Sequence, residues 1–424
     1  MGSQEQSVRT RILAVTGVAL ILRTVFAFIV PVVPTNSDPS AYVRFARNIV
    51  AGDGFGWGPG VLTAFWPPGP SALYAAVFRI FGDHLFMIAA IHVLLGTASI
   101  ALFMVIASRR YPAAVATCGG ALLAVWPLLI QFTTIPSSEP LFLFLLLVAV
   151  WVWGDGSTAF WKRGAICGVI FAAASLTRPT GLLLMVVLGG AELLRNRKLL
   201  PPLLTALTSA LVMLLLLAPW ALRNQHVLGR AFLTSSSGSA NTWLGNNNRS
   251  LPPGEMWPPE VREMSEAQRA DYLSAEVRRF ISENPAEFAR RTAVRFFRVH
   301  ERESIGVVWN DKSLEARGIG ARGQLVIKVL SNVFWWSVLA LAIVGLCFSV
   351  KSRGFVGTLA DPLIALWLYF AVVHAVTVVQ DRYHYPFIPS VAAMGALSIV
   401  HFRGGRSGQP SSQKLGDKQY GGAQ

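Results

Sequence analysis

The chain has 424 residues, of which 53% are hydrophobic and only 14% are charged, whereas about 25% are charged in an ordinary soluble domain. This composition excludes water as the main solvent of the folded chain. The net charge of +15 could suggest a nucleic-acid partner, but Lys and Arg stand at the ends of apolar runs and form no basic domain, so we predict no nucleic-acid binding.

Apolar runs close to the roughly 20 residues that cross a bilayer recur along most of the chain. They predict an all-α polytopic membrane protein with about ten transmembrane helices. The first run has a basic start but no clear cleavage site, so we interpret it as a retained helix and not as a signal peptide. The predicted spans are 12–32, 84–107, 112–131, 140–154, 163–177, 179–193, 199–219, 325–349, 355–379 and 385–402, with a further half-helix at 70–81.

These spans divide the chain into four regions. We expect an N-terminal transmembrane domain over 1–219, whose first outer loop is 34–69, and C-terminal transmembrane helices over 325–403. The polar stretch 220–324 between them is expected to lie outside the membrane. The tail 404–424 is rich in Gly, Ser and Gln, a composition typical of disorder.

The positions of the basic residues predict the orientation. With a cytoplasmic N-terminus, every inner end of a span carries Lys or Arg, whereas the short outer turns carry only Arg178 and Arg382. This agrees with the positive-inside rule, so both termini are predicted to be cytoplasmic. The inner basic residues are Arg9, Arg11, Arg109, Arg110, Lys162, Arg163, Arg195, Arg197, Lys198, Lys351, Arg353, Arg403 and Arg406.

Four outer turns each carry an ionisable group near the membrane surface: Asp38, Glu139, Arg178, and Asp381 with Arg382. Such groups are costly to desolvate at this depth, and their clustering indicates a functional site. The alternative is that each is simply interfacial and hydrated.

Asp38 has two interpretations. Followed by Pro39, it could cap a helix that lies along the membrane surface and carries Tyr42 and Phe45. A carboxylate at the outer boundary could instead act as a general base on an acceptor hydroxyl that attacks a sugar. A departing lipid phosphate would then need cationic partners, and the Arg fork matches phosphate geometry, which makes Arg178 and Arg382 candidates. Glu139 could orient the acceptor, pair with one of these arginines, or serve only as an acid at a helix start.

The region 220–324 offers weaker candidates. Asn241 and Asn246 have amides suited to sugar hydroxyls, although an Asn-rich turn has the same composition. From about 265 to 300 the pattern predicts two amphipathic helices with capping boxes at Ser265 and Asn284. Their arginines could bind a phosphate or form a solvated face. These are Arg278, Arg279, Arg290, Arg291, Arg295 and Arg298.

Seven segments, taken together in this order, are similar to a known family. They read SDPSAYVRFARNIVAGDGFG, WPPGPSALYA, SSEPLF, LTRPTGL, APWALRNQHVLGRAF with NTWLGNN, and QDRYHYPFIP. The chain resembles the bacterial branch of the protein-mannosyltransferase-like and aminoarabinose-transferase-like group of the GT-C superfamily, whose members are membrane glycosyltransferases. The resemblance covers nearly the whole chain and implies a GT-C type fold.

The resemblance implies an inverting enzyme of the bacterial inner membrane that uses a polyprenyl-phosphate sugar on the outer face, with a glycan, lipid or protein as acceptor. Asp38 would be the catalytic base, while Arg223 and Asn224 would contact the donor or anchor the loop. The chain departs from the pattern in having Pro39, where the family often has a second acid. Around the mouth of the site the implied residues are Glu139, Arg178, Arg382 and Tyr383, and Tyr42, four residues after Asp38, is a further candidate for donor binding.

No cofactor is predicted. The chain has no D-x-D pair, and its three cysteines are too far apart for a zinc or redox motif, so a divalent metal is possible but not indicated. The rival functions are a lipid-linked-sugar transporter or flippase and a non-catalytic envelope-assembly protein. Arg23, in the middle of the first span, is the residue that most favours the transporter. The alternative is that Arg23 pairs with backbone carbonyls or with an acid and has no transport role.

Overall fold

The computed structural model describes residues 3–35, 37–249, 251 and 257–406, and these residues are mostly helical with almost no strand. A small antiparallel hairpin, β1 (Gly56–Gly58) with β2 (Val61–Leu62), interrupts the first outer loop. In chain order the helices are α1 (Ser3–Ile29), α2 (Asp38–Ala51), α3 (Gly69–Phe81), α4 (Leu85–Ser108), α5 (Ala113–Ala124), α6 (Pro127–Gln131), α7 (Glu139–Trp153), α8 (Phe160–Thr177), α9 (Leu184–Asn196), α10 (Leu200–Leu228), α11 (Ser237–Gly245), α12 (Glu266–Glu283), α13 (Pro285–Arg298), α14 (Ile305–Val308), α15 (Asp311–Glu315), α16 (Ala321–Leu359), α17 (Pro362–Val376) and α18 (Ile388–Arg406).

The predicted class, an all-α polytopic membrane protein, is confirmed. Among the described residues five helices are long and apolar enough to cross a membrane, and a sixth span results if α5 and the bent segment after it are one unit. The predicted spans 140–154, 163–177, 179–193 and 355–379 fall on the shorter helices α7, α8, α9 and α17. The predicted half-helix at 70–81 is α3.

Several boundaries differ from the predicted ones. Helix α10 continues through Pro219 to Leu228 instead of ending at 219. Helix α16 extends to Leu359 with a break at Gly354, whose φ of 72° is a conformation that glycine adopts at little cost. The next span begins at Pro362 and not at 355, because Asp361 caps it with a 3.0 Å hydrogen bond from the Leu363 amide.

Arg23 is held by backbone carbonyls, as one of its two interpretations predicted. Its guanidinium is buried in the bundle and donates to the carbonyls of Leu123 and Ala124 at 3.1 Å each. These carbonyls end α5, where the chain bends and the ordinary helical partners are missing. Arg23 therefore completes a helix end, and its contacts do not favour the transporter.

The two amphipathic helices predicted near 265–300 are α12 and α13. The capping box between Ser265 and Gln268 forms as predicted. The second one does not form, so that prediction was wrong: the Asn284 side chain donates to the Phe280 carbonyl instead, and Glu287 pairs with two arginines. The predicted tail overlaps α18 up to Arg406, and residues 407–424 lie outside the described residues.

Candidate active site

A cavity of about 1430 Å³ opens where α2 begins and where α8 and α17 end. The first outer loop, α11, α12 and α16 complete its wall. Most of the residues predicted at the site line this cavity, although they come from distant parts of the chain. They are Asp38, Tyr42, Arg178, Asn241, Asp381, Arg382 and Tyr383.

Asp38 lies in the first turn of α2, but its side chain does not cap that helix. The carboxylate accepts a 3.1 Å hydrogen bond from Trp66 Nε1 and forms a 2.7 Å ion pair with Arg382 Nη2. The capping interpretation was therefore wrong, since the side chain points across to other elements. Burial raises the pKa of Asp38, but the charge and hydrogen bonds of Arg382 and Trp66 outweigh it and hold the pKa below its usual value.

Glu139 links the two predicted arginines. This carboxylate is fully buried at the first residue of α7, and its Oε1 lies 2.7 Å from Arg178 Nη1 and 3.6 Å from Arg382 Nη1. Pairing with arginine is thus the interpretation that the structure supports, and Glu139 also starts a helix. Asp38, Arg382, Glu139 and Arg178 form one unit, which we call the four-charge chain.

The four-charge chain has no net charge when its acids are ionised, because two carboxylates face two guanidiniums. Aromatic rings keep it in place. Tyr383 stacks on His374 with centroids 4.2 Å apart, and both guanidiniums lie 5.6 Å from the Tyr383 ring. Arg382 also sits 4.4 Å from the Trp309 ring, within the range of cation–π attraction.

Two predicted donor contacts, Arg223 and Asn224, lie away from the cavity wall. Arg223 donates to the carbonyls of Thr63 at 2.8 Å and Phe55 at 3.0 Å, and Asn224 donates to Phe232 O at 2.8 Å. The sequence left two roles open for Arg223 and Asn224. Their hydrogen bonds support anchoring of the loop and not contact with the donor.

Asn246 does not face the cavity either. It is fully buried, donates to the carbonyls of Thr242 and Val376, and accepts a 2.8 Å hydrogen bond from Arg295. The prediction that Asn246 contacts a sugar is therefore wrong, and Asn246 instead holds neighbouring segments together. Asn241, by contrast, lies on the cavity wall, so its predicted sugar contact stays a prediction.

Four of the six arginines predicted on α12 and α13 are bonded to an acid or to a backbone carbonyl. Arg279 pairs with Glu283, and Arg290 and Arg291 pair with Glu287. Arg295 donates to the Ala375 carbonyl. This arrangement supports the solvated-face interpretation over phosphate binding.

Sequence reasoning missed Lys328 and Arg302, two cations on the cavity wall. Within the described part of the chain, neither side chain makes a hydrogen bond or close ion pair. The signal for Lys328 was available, because it is the single charged residue of the apolar run 325–349, and a charge inside a span suggests function. Trp66 is the first residue of the segment WPPGPSALYA, and nothing in the local sequence predicts its hydrogen bond to Asp38.

No group of three His, Cys, Asp or Glu side chains that could hold a metal ion occurs among the residues the structure describes. The predicted lack of a metal requirement is a statement about activity, and it stays a prediction.

Comparisons with known proteins agree with this fold. Residues 66–222 match the family model of dolichyl-phosphate-mannose-protein mannosyltransferase. The Archaeoglobus fulgidus oligosaccharyltransferase tethered with an acceptor peptide is similar to this chain, with a TM-score of 0.54 at 13% identity, over 92% of this chain and 49% of that one. No curated protein sequence matches the chain significantly.

Two further solved structures contain a lipid phosphate. The archaeal oligosaccharyltransferase AglB from Archaeoglobus fulgidus, in complex with an inhibitory peptide and dolichol-phosphate, has a TM-score of 0.55 at 15% identity over 98% of this chain and 53% of its own. ArnT from Cupriavidus metallidurans, bound to undecaprenyl phosphate, has a TM-score of 0.55 at 13% identity over 92% and 60%. The chain thus spans about half to three fifths of the length of these proteins.

The chain is thus a polytopic membrane protein with a GT-C type fold and a large cavity at one end of its helices. The match over residues 66–222 covers less than half of the chain, and the solved structures show that its fold is similar to those of the archaeal oligosaccharyltransferase and ArnT.

Proposed function

We propose that the chain is an inverting membrane glycosyltransferase that moves a sugar from a polyprenyl-phosphate donor to an acceptor hydroxyl. The observation that carries the proposal is the position of Asp38, a carboxylate on the wall of a 1430 Å³ cavity, fixed by Arg382 and Trp66. The acceptor is a glycan, a lipid or a protein of the cell envelope.

Asp38 acts as the base in this proposal. The acceptor oxygen attacks the anomeric carbon and its proton passes to the Asp38 carboxylate. The bond from that carbon to the donor phosphate oxygen breaks on the opposite side, and its electron pair stays on the phosphate. Attack from one face and departure from the other inverts the anomeric configuration. A lowered pKa keeps Asp38 ionised and able to accept a proton at neutral pH.

The departing phosphate requires positive charge beyond the neutral four-charge chain. Lys328 and Arg302 supply it from the cavity wall, since neither forms a close ion pair with an acid among the described residues. Binding of the phosphate also draws Arg382 away from Asp38, because the guanidinium then divides its attraction between two anions. Electrostatic stabilisation of this kind contributes several kcal/mol to a reaction of this type.

The site faces the outside of the bacterial inner membrane in this proposal, with both termini in the cytoplasm. The support is the distribution of basic residues in the predicted topology, because every inner end of a span carries Lys or Arg while the short outer turns carry only Arg178 and Arg382. A lipid-linked donor fits this location, because nucleotide sugars stay in the cytoplasm.

The proposal is tested by transfer from a panel of radiolabelled polyprenyl-phosphate sugars into cell-envelope fractions. Asp38→Asn keeps the shape of the side chain and removes the base, so we expect a loss of roughly 10²–10⁴-fold. Asp83→Asn is the matched control, since Asp83 forms an exposed ion pair with Arg47 on the same side of the fold. Equal transfer by Asp38→Asn and the parent contradicts the role of Asp38, and no transfer from any donor contradicts the enzyme.

A further inference from the structure

A second cavity of about 650 Å³ lies at the other end of α17, where Asp361 precedes the helix. It is formed by the turn between α4 and α5, the end of α9 and the break in α16. We call it the basic cavity, because five of its lining residues are arginines: Arg109, Arg110, Arg195, Arg197 and Arg353.

The basic cavity carries a surplus of positive charge. Its single acid, Asp361, is already engaged, since it caps α17, accepts a 2.7 Å hydrogen bond from the Tyr111 hydroxyl and lies 3.7 Å from Arg353. In the ranges the structure describes, the other four arginines form no ion pair with an acid.

Burial lowers the pKa of Arg110, Asp361 opposes this, and the nearby charges of Arg195 and Arg353 lower it further. Like charges are therefore held together here against their mutual repulsion, a cost that a bound anion would remove.

The wall next to these arginines is apolar. Leu194, Phe355 and Val356 line the same cavity and are 40%, 66% and 46% exposed. The break at Gly354 places Arg353 and Phe355 beside each other on the wall. A small soluble anion would use only the cations, whereas a lipid with an anionic headgroup uses both surfaces.

The basic cavity is separate from the candidate active site. Asp361 precedes α17, and His374 and Thr377 at the other end of that helix line the 1430 Å³ cavity. The helix has 15 residues and is roughly 22 Å long at 1.5 Å per residue. The two cavities therefore lie toward opposite faces of the membrane.

We propose that the basic cavity binds the phosphate headgroup of an anionic membrane lipid in the leaflet opposite the active site. The Arg forks match phosphate oxygens in pairs, and basic pockets between transmembrane helices on the cytoplasmic side are suited to such headgroups. The acyl chains lie against Leu194, Phe355 and Val356. This site does not depend on the proposed transferase activity.

The test measures lipid binding to the purified full chain in detergent by native mass spectrometry. Cardiolipin and phosphatidylglycerol are compared with phosphatidylcholine, and inorganic phosphate is titrated as the free anion. We expect the double variant Arg195→Gln, Arg197→Gln to weaken phosphatidylglycerol binding by roughly 25-fold, which is a factor of five for each arginine. Both side chains are exposed, and Arg109→Gln provides a second variant of the same cavity.

The matched control is the double variant Arg9→Gln, Arg11→Gln, which removes the same charge from the exposed start of α1 outside the cavity. The site is supported if this control binds lipid as the parent does while both cavity variants bind it more weakly. Equal binding of anionic and zwitterionic lipids, or equal effects of the control and cavity variants, overturns it. Inorganic phosphate that displaces phosphatidylglycerol at equal concentration also overturns the lipid assignment, because the cavity would then recognise the free anion.

Discussion

Glu139 is the residue on which both arginines of the four-charge chain depend. It is fully buried, and neutralising one partner leaves a buried charge without its counterion, which is far more costly than the loss of an exposed pair. The surface pair of Arg47 with Asp83 has both side chains about half exposed, where screening leaves little net stabilisation.

We therefore expect Glu139→Gln to lower the free energy of unfolding by about 3 kcal/mol, and Asp83→Asn to lower it by less than about 1 kcal/mol. Unfolding of the purified protein in detergent, followed by circular dichroism, measures both. Similar losses for the two variants would show that the buried pair carries no special weight.

Trp66 provides a second prediction at this scale, through the pKa of Asp38. The hydrogen bond from Trp66 stabilises the carboxylate and helps to lower this pKa. Removing the donor in Trp66→Phe favours the protonated acid, so the pKa rises and the base is lost at a higher pH. The acid limb of the pH–rate profile for transfer should then move to higher pH.

Trp57→Phe is the control for this profile, since Trp57 lines the same cavity and packs against Trp66. It should leave the acid limb in place. An unchanged limb in Trp66→Phe, with transfer still measurable, would mean that Asp38 is not the group that titrates.

Helix α8 packs on α10 through two glycines one turn apart, Gly164 and Gly168. A methyl group on Gly168 would lie 2.8 Å from the Ser209 carbonyl oxygen and 2.7 Å from Val212 Cβ. Small residues at this spacing let two helix backbones approach closely, which is a main source of stability between helices in a bilayer. Arg178 follows α8 directly, so this contact also positions the four-charge chain.

Gly168→Val should therefore destabilise the protein by roughly 1–3 kcal/mol, because the α10 backbone cannot yield to the added atoms. Gly190→Val on α9 is the matched control, since nothing lies within 4 Å of the position that its Cβ would take. Thermal unfolding in detergent distinguishes the two. Equal melting temperatures for both variants would show that the close approach is not required.

The whole molecule has two chemically different ends. One end carries the neutral four-charge chain in the large cavity, and the other carries the five arginines of the basic cavity. The arginine-rich end is the one that sets the orientation during insertion, because clustered Lys and Arg are retained in the cytoplasm.

Orientation is measured with single cysteines in a variant without Cys118, Cys167 and Cys347. Ser282→Cys on α12 and Asn196→Cys at the end of α9 replace exposed residues. Ser282 belongs to the end of the molecule with the large cavity, and Asn196 to the end with the basic cavity. In intact spheroplasts we expect a membrane-impermeant maleimide to label Ser282→Cys alone, and both variants to react after permeabilisation. Labelling of Asn196→Cys in intact spheroplasts would reverse the predicted topology.

The sequence alone determined the class of protein, most helix positions and the short set of outer acids and arginines. These properties are local: hydropathy is read from consecutive residues, and an ionisable group at the end of an apolar run stands out without knowledge of its partners. The capping box at Ser265 was predictable for the same reason, since its two bonds join residues three positions apart.

Only the tertiary structure decided which of these groups meet. Arg382 reaches Asp38 from the far end of the chain, Asn246 turns into the protein interior, and Lys328 joins a cavity built mostly by other segments. The reason is physical: where a side chain points in the assembled bundle depends on helix packing and on backbone groups that distant residues must satisfy, and no local pattern contains that information.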